Sequence, residues 1–307
     1  MRYRPFGRSG VVTSCVALSI TDAAARRGPD ALRGLIYTAL ENGINAYHVT
    51  GHDPEILAVV GQALSQVERR LIFASLRLGM SRGRVGVVRD FSPEGLTATI
   101  DASLHASGLG HIDLVTLDEP AADELPRPSL ECLKAQRAAG RVNLIGIAGG
   151  HDAMDAYLSS NNFDVVATPF HLRAGSKERN RLKAAAELDM GVMAYGWFPE
   201  EFATQKSTEQ ASGLRRGLFG SRPAEAHPLH GVGTYAFLHQ TKNWTAEELC
   251  LAYCLTETSV STVLVHTADP THLAQLASVP DRELPPGVSA QIEMARFGAP
   301  PSEQRAG

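Results

Sequence analysis

Lysine is scarce in this chain of 307 residues: only five of its 29 basic residues are lysines, and the first is Lys134. Long apolar runs are missing as well. No window approaches the ~18 uninterrupted apolar residues that a membrane span needs, and Met1–Phe6 lacks the apolar core of a signal peptide. A net charge of −4 gives no electrostatic case for nucleic acid or an anionic membrane surface.

Cysteine is also sparse, and its spacing matches neither a metal site nor a disulfide framework. The four cysteines are Cys15, Cys132, Cys250 and Cys254. Cys250 and Cys254 are four residues apart on a predicted helix, which places them on one buried face. This usage is typical of a reduced protein, so we expect a cytoplasmic location.

Short apolar runs alternate with helical patterns eight times, which indicates repeated βα units. Val, Ile and Leu run almost continuously through the apolar segments, as in strands covered on both faces. The predicted strands are Val16–Ile20, Ile44–Val49, Leu71–Arg77, Ile112–Glu119, Leu144–Ala148, Val165–His171, Val192–Trp197 and Thr262–His266. Eight units favour a closed α/β (β/α)8 TIM barrel, typically ~250 residues, over an open sheet.

We expect one barrel domain over residues 1–307, without an internal boundary. Residues 1–15 are predicted to form an N-terminal hairpin that plugs the bottom of the barrel. The segment 199–244 is too long for an ordinary connection and is predicted to cover the active face. Residues 298–307 are polar and carry Pro and Gly, so a flexible tail is expected there.

Seven short motifs occur in an order and spacing that resemble the aldo-keto reductases over nearly the whole chain. They are Phe6–Gly10, Gly43–Thr50, Asp53–Leu57, Val60–Leu64, Ile112–Leu114, Ala194–Gly196 and Asp269–Leu273. The resemblance implies a reductase-like barrel. It also implies hydride transfer from NADPH to a carbonyl, with a tyrosine as general acid beside a lysine, an aspartate and a histidine.

The positions that match this catalytic tetrad hold other residues. His48 stands for the aspartate, Arg77 for the lysine and Asp118 for the histidine, while the tyrosine falls near His52 or Asp53. A guanidinium is larger than an ammonium, stays protonated and bonds in a fixed fork. Because the first lysine is Lys134, a small alignment error cannot restore that group. We therefore expect the reductase tetrad to be absent.

The positions that match the nicotinamide contacts differ too. Ala148-Gly149 replaces a Ser-Asn pair, Ala167 a glutamine and Phe170 a stacking tyrosine, while Asp269 would repel a 2′-phosphate. Each unsatisfied amide group loses about 1–3 kcal/mol. The expectation is that no cofactor binds and that NADP binding is lost; NADPH held through altered contacts is the alternative.

Several polar residues end predicted strands and should meet at the C-terminal mouth of the barrel. One arrangement pairs His48 with Asp118 for proton transfer, while Arg77 holds a substrate carboxylate or oxyanion and His52 adds a second proton-transfer group. His266 also belongs to this mouth. The candidate substrate-binding residues are Asp53, Glu119, Phe170, His171, Trp197 and Phe198.

Other interpretations of these residues remain open. Arg77 and Asp118 can form a structural ion pair, with His48 as a hydrogen-bonded core residue. His48 and His52 with Asp118 or Glu119 can also supply metal ligands, although a spacing of four in a loop is not diagnostic. Trp197 and Phe198 fit an aromatic wall and the core equally well.

Three function classes follow. The first is a cofactor-independent acid–base enzyme, a lyase or isomerase of dehydratase, cyclase or isomerase type, acting on a carbonyl-bearing small molecule. The second is a divergent NADPH-dependent carbonyl oxidoreductase. The third is a non-catalytic binding or regulatory protein built on the barrel. The sequence ranks them in this order because the expected reductase groups are missing.

Overall fold

The computed structural model describes residues 1–51, 54–82, 86–200, 202–203 and 235–298. Most of the predicted loop 199–244 and all but the first residue of the predicted tail 298–307 therefore lie outside the described residues. No helix within the described ranges is long and apolar enough to cross a membrane.

The described part of the chain includes twelve strands and, besides short 3-10 turns, the ten α-helices given below. The strands are β1 (Tyr3–Pro5), β2 (Val12–Ser14), β3 (Val16–Ile20), β4 (Ala46–Val49), β5 (Phe73–Leu78), β6 (Met80–Arg82), β7 (Val87–Arg89), β8 (Ile112–Asp118), β9 (Val142–Ala148), β10 (Val165–Pro169), β11 (Gly191–Tyr195) and β12 (Thr262–Val265). The helices are α1 (Asp22–Ala25), α2 (Pro29–Glu41), α3 (Pro54–Leu64), α4 (Pro93–Ser107), α5 (Arg127–Ala138), α6 (Ala153–Ser159), α7 (Ser176–Glu187), α8 (Ala246–Cys254), α9 (Pro270–Ser278) and α10 (Val288–Gly298).

Eight parallel strands close into a barrel in the order β10-β11-β12-β3-β4-β5-β8-β9. Closure comes from β12, which pairs with β3 in the register Val263↔Val16, Leu264↔Ala17 and Val265↔Leu18. Helices lie between the strands in sequence, as each parallel connection requires. The predicted (β/α)8 barrel is confirmed, and each of the eight predicted strands overlaps one barrel strand, with ends that differ by up to two residues.

The inside of the barrel is filled by one set of side chains, the interior cluster. Its members are Phe6, Ala17, Ala46, Phe73, Leu114, Ala148, Val165, Ala167, Met193 and Leu264. Since side chains alternate between the two faces of a strand, residues two steps further along the same strands also face inward. At the C-terminal ends of β4, β5, β8 and β11 these residues are polar, so the barrel is apolar inside and polar at its mouth.

The N-terminal hairpin, formed by β1 and β2, lies at the opposite end of the barrel. The two strands pair antiparallel from Tyr3↔Ser14 to Pro5↔Val12. Between them Phe6 is buried in the interior cluster, with its ring centroid 4.7 Å from that of Phe73. The predicted hairpin is confirmed, and Phe6 is the side chain that fills the bottom of the barrel.

Local sequence signals fix the ends of two helices. Ser92 caps α4 by accepting a hydrogen bond from the Gly95 amide, and Thr245 and Glu248 form a reciprocal capping box at α8. Cys250 and Cys254 in α8 are fully buried, as their spacing predicted.

Candidate active site

His48 lies inside the barrel, just below the mouth, and is almost wholly buried at 4% exposure. Its Nδ1 is 2.8 Å from the Ser75 hydroxyl oxygen, and that hydroxyl donates to the Tyr47 carbonyl at 3.2 Å. A hydroxyl has one proton to give, so Ser75 accepts from Nδ1–H and the imidazole keeps Nε2 unprotonated. Burial first, and the charge of Arg77 second, lower the pKa of His48 to about 3. His48 is therefore neutral at physiological pH.

Arg77 and Asp118 lie at the C-terminal ends of the neighbouring strands β5 and β8 and form an ion pair. The Arg77 Nη1 is 3.5 Å from the Asp118 Oδ2, and the Arg77 Nη2 donates to the Thr50 carbonyl at 3.0 Å. The predicted His48–Asp118 pair is wrong, because within the described residues His48 bonds to Ser75 and Asp118 pairs with Arg77. The ion-pair interpretation matches this geometry. Both side chains remain about a quarter exposed at 28% and 21%, so they face the open mouth.

Tyr195, at the end of β11, was missed as a site residue by sequence reasoning. It stands two residues after Met193 of the interior cluster and packs against that cluster, half-buried. Its hydroxyl donates to the Glu119 Oε1 at 3.3 Å. Burial first, then the charge of Glu119, raise the pKa of Tyr195, and Asp118 acts in the same direction. The phenol is therefore protonated and lies close to both carboxylates.

Glu119 follows β8 and joins Tyr195 to the turn after β9. The same Oε1 accepts from the Gly150 amide at 3.3 Å. The backbone of Glu119 is left-handed, with φ of 50°, which is uncommon outside glycine. The sequence correctly predicted Glu119 at the mouth, but not these contacts, since they join segments far apart in the chain.

The turn after β9 is supported from below by Arg181 of α7, whose side chain is fully buried. Its guanidinium donates to the carbonyls of Gly150 and His151 at 3.3 and 3.0 Å. It also bonds the Thr168 hydroxyl at 3.3 Å and pairs with Asp155 at 3.2 Å. A buried cation with this many acceptors fixes the turn beside Glu119.

The aromatic residues predicted to bind substrate differ in burial and in what they contact. Phe170 is buried at 1% exposure outside the interior cluster, beneath Arg179, so its ring cannot stack on a ligand in the mouth. One step along a strand reverses the side that a residue faces, and Phe170 is on the helix side. Trp197 is also in the core, donating from Nε1 to the Leu264 carbonyl at 3.0 Å. Phe198 is half-buried beside it.

The remaining predicted site residues lie at the rim or beyond the described chain. His171 is half-buried and accepts at Nδ1 from the Arg173 amide, while His266 is exposed. Asp269 caps α9 by accepting from the Thr271 amide at 2.9 Å. His52 and Asp53 lie outside the described residues. Across the described ranges no group of three His, Cys, Asp or Glu side chains is arranged to hold a metal ion.

Comparison with known proteins identifies the class of protein that this barrel represents. The sequence model of the Aldo/keto reductase family matches residues 29–296. The chain belongs to the aldo/keto reductase family.

Individual relatives agree with this assignment. A D-threo-aldose 1-dehydrogenase of a Pseudomonas species is 26% identical over 214 residues, which cover 68% of this chain and 64% of that protein. The holo form of an aldo-keto reductase from Bacillus halodurans superposes over 100% of both chains with a TM-score of 0.75 and 18% identity. Its apo form gives a TM-score of 0.71 and 17% identity over the same span. These structural matches support the fold.

Family membership corrects the predicted chemistry. The lyase or isomerase assignment, the absence of a cofactor and the loss of NADP binding are contradicted, because the family and the named relative are oxidoreductases. The substitutions at His48, Arg77 and Asp118 are real features of the sequence. They show which side chains this member lacks and do not exclude the reaction class of the family.

The mouth residues fit the nicotinamide end of a dinucleotide. A flat ring needs an apolar surface, and the least buried members of the interior cluster are Ala148 and Leu264, at 9% and 8%. The carboxamide needs a hydrogen-bond acceptor, and the Glu119 Oε2 bonds no other described residue. Ala148, Gly149 and Ala167 add no side-chain hydrogen bonds, so the fit depends on Glu119.

Proposed function

We propose that this protein is an NADPH-dependent oxidoreductase that interconverts a carbonyl and an alcohol on a small polyhydroxylated molecule. The observation that carries the proposal is the family match over residues 29–296. The named relative is a D-threo-aldose 1-dehydrogenase, which favours an aldose or a related polyol as the substrate class. A mouth lined by two carboxylates, a guanidinium and a phenol suits a ligand with several hydroxyl groups.

In this proposal Ala148 and Leu264 would contact the nicotinamide ring of the cofactor, and the Glu119 Oε2 would accept a hydrogen bond from its carboxamide. When bound, the cofactor supplies or accepts the hydride. A carbonyl oxygen that gains a hydride at its carbon becomes negative and must also gain a proton. Tyr195 holds a proton at Oη, because its raised pKa keeps the phenol neutral, and Arg77, on the opposite side of the barrel, supplies positive charge at the mouth.

His48 has a different role. Its neutral ring is held by Ser75 beneath the reacting groups, and a pKa of about 3 makes it a poor proton acceptor at neutral pH. We assign it to the support of β4 and β5, next to Arg77. We assign proton transfer to Tyr195, on the far side of the mouth from His48.

Titration of the protein with NADPH, followed by nicotinamide fluorescence and by calorimetry, tests the proposal. We expect saturable binding, and turnover of an aldose or short aldehyde that depends on the cofactor. A parallel titration with NADH measures the effect of Asp269 near the start of α9. Absence of binding of either nucleotide at millimolar concentration would overturn the proposal.

A further inference from the structure

The β6–β7 hairpin, which follows β5, contacts the loop after β8 through Arg89. Arg89, the last residue of β7, donates from Nε and Nη2 to the two carboxylate oxygens of Glu124 at 3.0 and 2.6 Å. The same Nη2 donates to the Glu119 carbonyl at 2.7 Å. This bidentate geometry is more specific than a single-point ion pair.

Glu124 is fixed from its own side of the contact as well. Its Oε2 accepts from the Ala121 amide at 2.9 Å, so the carboxylate bonds the backbone of its own loop as well as Arg89. The hydrogen bond from Arg89, first among the causes, lowers the pKa of Glu124 to about 2. The pair therefore stays charged throughout the physiological range.

The residue held by this contact has an uncommon backbone conformation. Glu119 has φ of 50°, its amide donates to the Ala148 carbonyl at 3.0 Å, and its carbonyl is bound by Arg89. A left-handed backbone is unfavourable for a non-glycine residue and persists only where its surroundings fix it. In this conformation the Glu119 side chain reaches both the Tyr195 hydroxyl and the Gly150 amide.

We propose that Arg89 and Glu124 form a clamp that holds Glu119 in its left-handed conformation and so positions the Tyr195 hydroxyl at the mouth. Arg89 and Glu124 are positioning residues, because neither touches the reacting groups directly. The catalytic consequence rests on the proposed function, whereas the geometric consequence does not. An exposed ion pair adds little to stability on its own, so loss of the clamp should disturb the site more than the fold.

The geometric part is tested by NMR on protein labelled with 13C at tyrosine Cζ, whose chemical shift reports the hydrogen bonding of each phenol. The Tyr195→Phe variant assigns the signal, and Glu119→Ala gives its position without the carboxylate. We expect Arg89→Ala to move the signal toward the Glu119→Ala position and Arg89→Lys to move it less. Arg127→Ala, which removes another exposed arginine–glutamate pair on α5, should leave it unchanged. An unmoved signal in Arg89→Ala, with a clear shift in Glu119→Ala, overturns the clamp.

The catalytic part uses the same variants. Arg89→Ala should lower kcat by roughly tenfold to a hundredfold, as small misplacements of a reacting group do, with Arg89→Lys intermediate. If Arg89→Ala does not fold, Glu124→Ala removes the other half of the pair and should give the same NMR shift. If no carbonyl substrate is turned over, the proposed function fails while the NMR result still decides the clamp. Unchanged kcat together with a shifted signal overturns the catalytic role of the clamp.

Discussion

His48 shows how the surroundings of one side chain decide its chemistry. On an exposed strand end this imidazole would titrate near neutral pH, but here burial and Arg77 lower its pKa from 6.5 to about 3. The unfolded chain takes up a proton below about pH 6.5, whereas the folded protein does not. Folding is therefore opposed by protonation of this residue as the pH falls.

The sign of that effect gives a prediction. Because the unfolded state binds the extra proton, the free energy of unfolding should fall by up to about 1.4 kcal/mol per pH unit as the pH drops from 6.5 toward 3. Urea denaturation at pH 7, 6 and 5 should show a shallower pH dependence in His48→Gln. His266→Gln removes an exposed histidine and is the matched control. Equal slopes in His48→Gln and wild type would contradict a neutral buried His48.

The second prediction at the scale of single residues concerns Tyr195. Tyr195→Phe keeps the ring that packs on the interior cluster and removes only the hydroxyl that bonds Glu119. Loss of a general acid typically lowers turnover by about 10²–10⁴-fold. Steady-state kinetics should show this loss in kcat, with NADPH affinity changed by less than about threefold. Turnover close to wild type would show that another group supplies the proton.

Residue positions were easier to predict from the sequence than residue partners. The rule that barrel active sites lie at the C-terminal ends of the strands correctly placed Arg77, Asp118 and Glu119 at the mouth. It could not show that His48 bonds Ser75, because that contact depends on the register between two strands. Phe170 was placed at the mouth from its match to a stacking tyrosine, whereas alternation from the inward-facing Ala167 puts it on the helix side. Tyr195 was overlooked although its spacing from Met193 placed it on the inward face.

At the scale of elements, the hairpin at the bottom of the barrel depends on a glycine at a close contact. Gly7 has φ of +57°, and a Cβ there would lie 2.6 Å from the Asp189 carbonyl oxygen. The neighbouring Arg8 amide donates to that same carbonyl at 2.8 Å. The chain passes so close to the start of β11 that no side chain fits at this position.

Two alanine variants separate the steric effect from the backbone effect. Gly10 also has positive φ, +74°, but a Cβ there would meet nothing within 4 Å. Gly10→Ala should therefore lose only about 1–2 kcal/mol of unfolding free energy. Gly7→Ala should lose about 3 kcal/mol or more, since the clash adds to the backbone strain. Chemical denaturation measures both, and equal losses would mean that the hairpin shifts freely.

Helix ends could be predicted because the signals that set them are local. Ser92 and Thr245 each satisfy an amide within three residues, so neighbouring sequence is sufficient. The Arg89–Glu124 contact was not foreseen because its two residues lie outside the barrel strands, in the β6–β7 hairpin and in the loop after β8, 35 residues apart in the chain. No periodicity in either segment indicates that they meet.

At the scale of the whole molecule, the fold could be predicted and the reaction could not. Eight alternating units are enough to indicate a closed barrel, because few other architectures accommodate them. The reaction class was inferred from missing tetrad residues, and that inference was wrong. A barrel mouth contains side chains from all eight strands, so an absent residue on β4 or β5 does not show what β11 supplies.

Ligand binding should stabilise the entire barrel if the proposed function holds. A ligand at one hundred times its dissociation constant adds about 2.7 kcal/mol to the unfolding free energy. A thermal melt with NADPH should therefore show a higher Tm, and Tyr195→Phe should show the same increase because it retains the ring. A Tm that does not respond to millimolar NADPH would argue against binding to the native state.

The pairing of β12 with β3 also has a consequence for synthesis of the chain on the ribosome. β3 is made early, but the neighbour on its second edge is the last barrel strand to be made. Until residues 262–265 leave the exit tunnel, that edge presents unpaired amides and carbonyls to other nascent chains. Aggregation during translation should therefore depend on protection of β3, and a chaperone that covers this edge would act before release of the polypeptide.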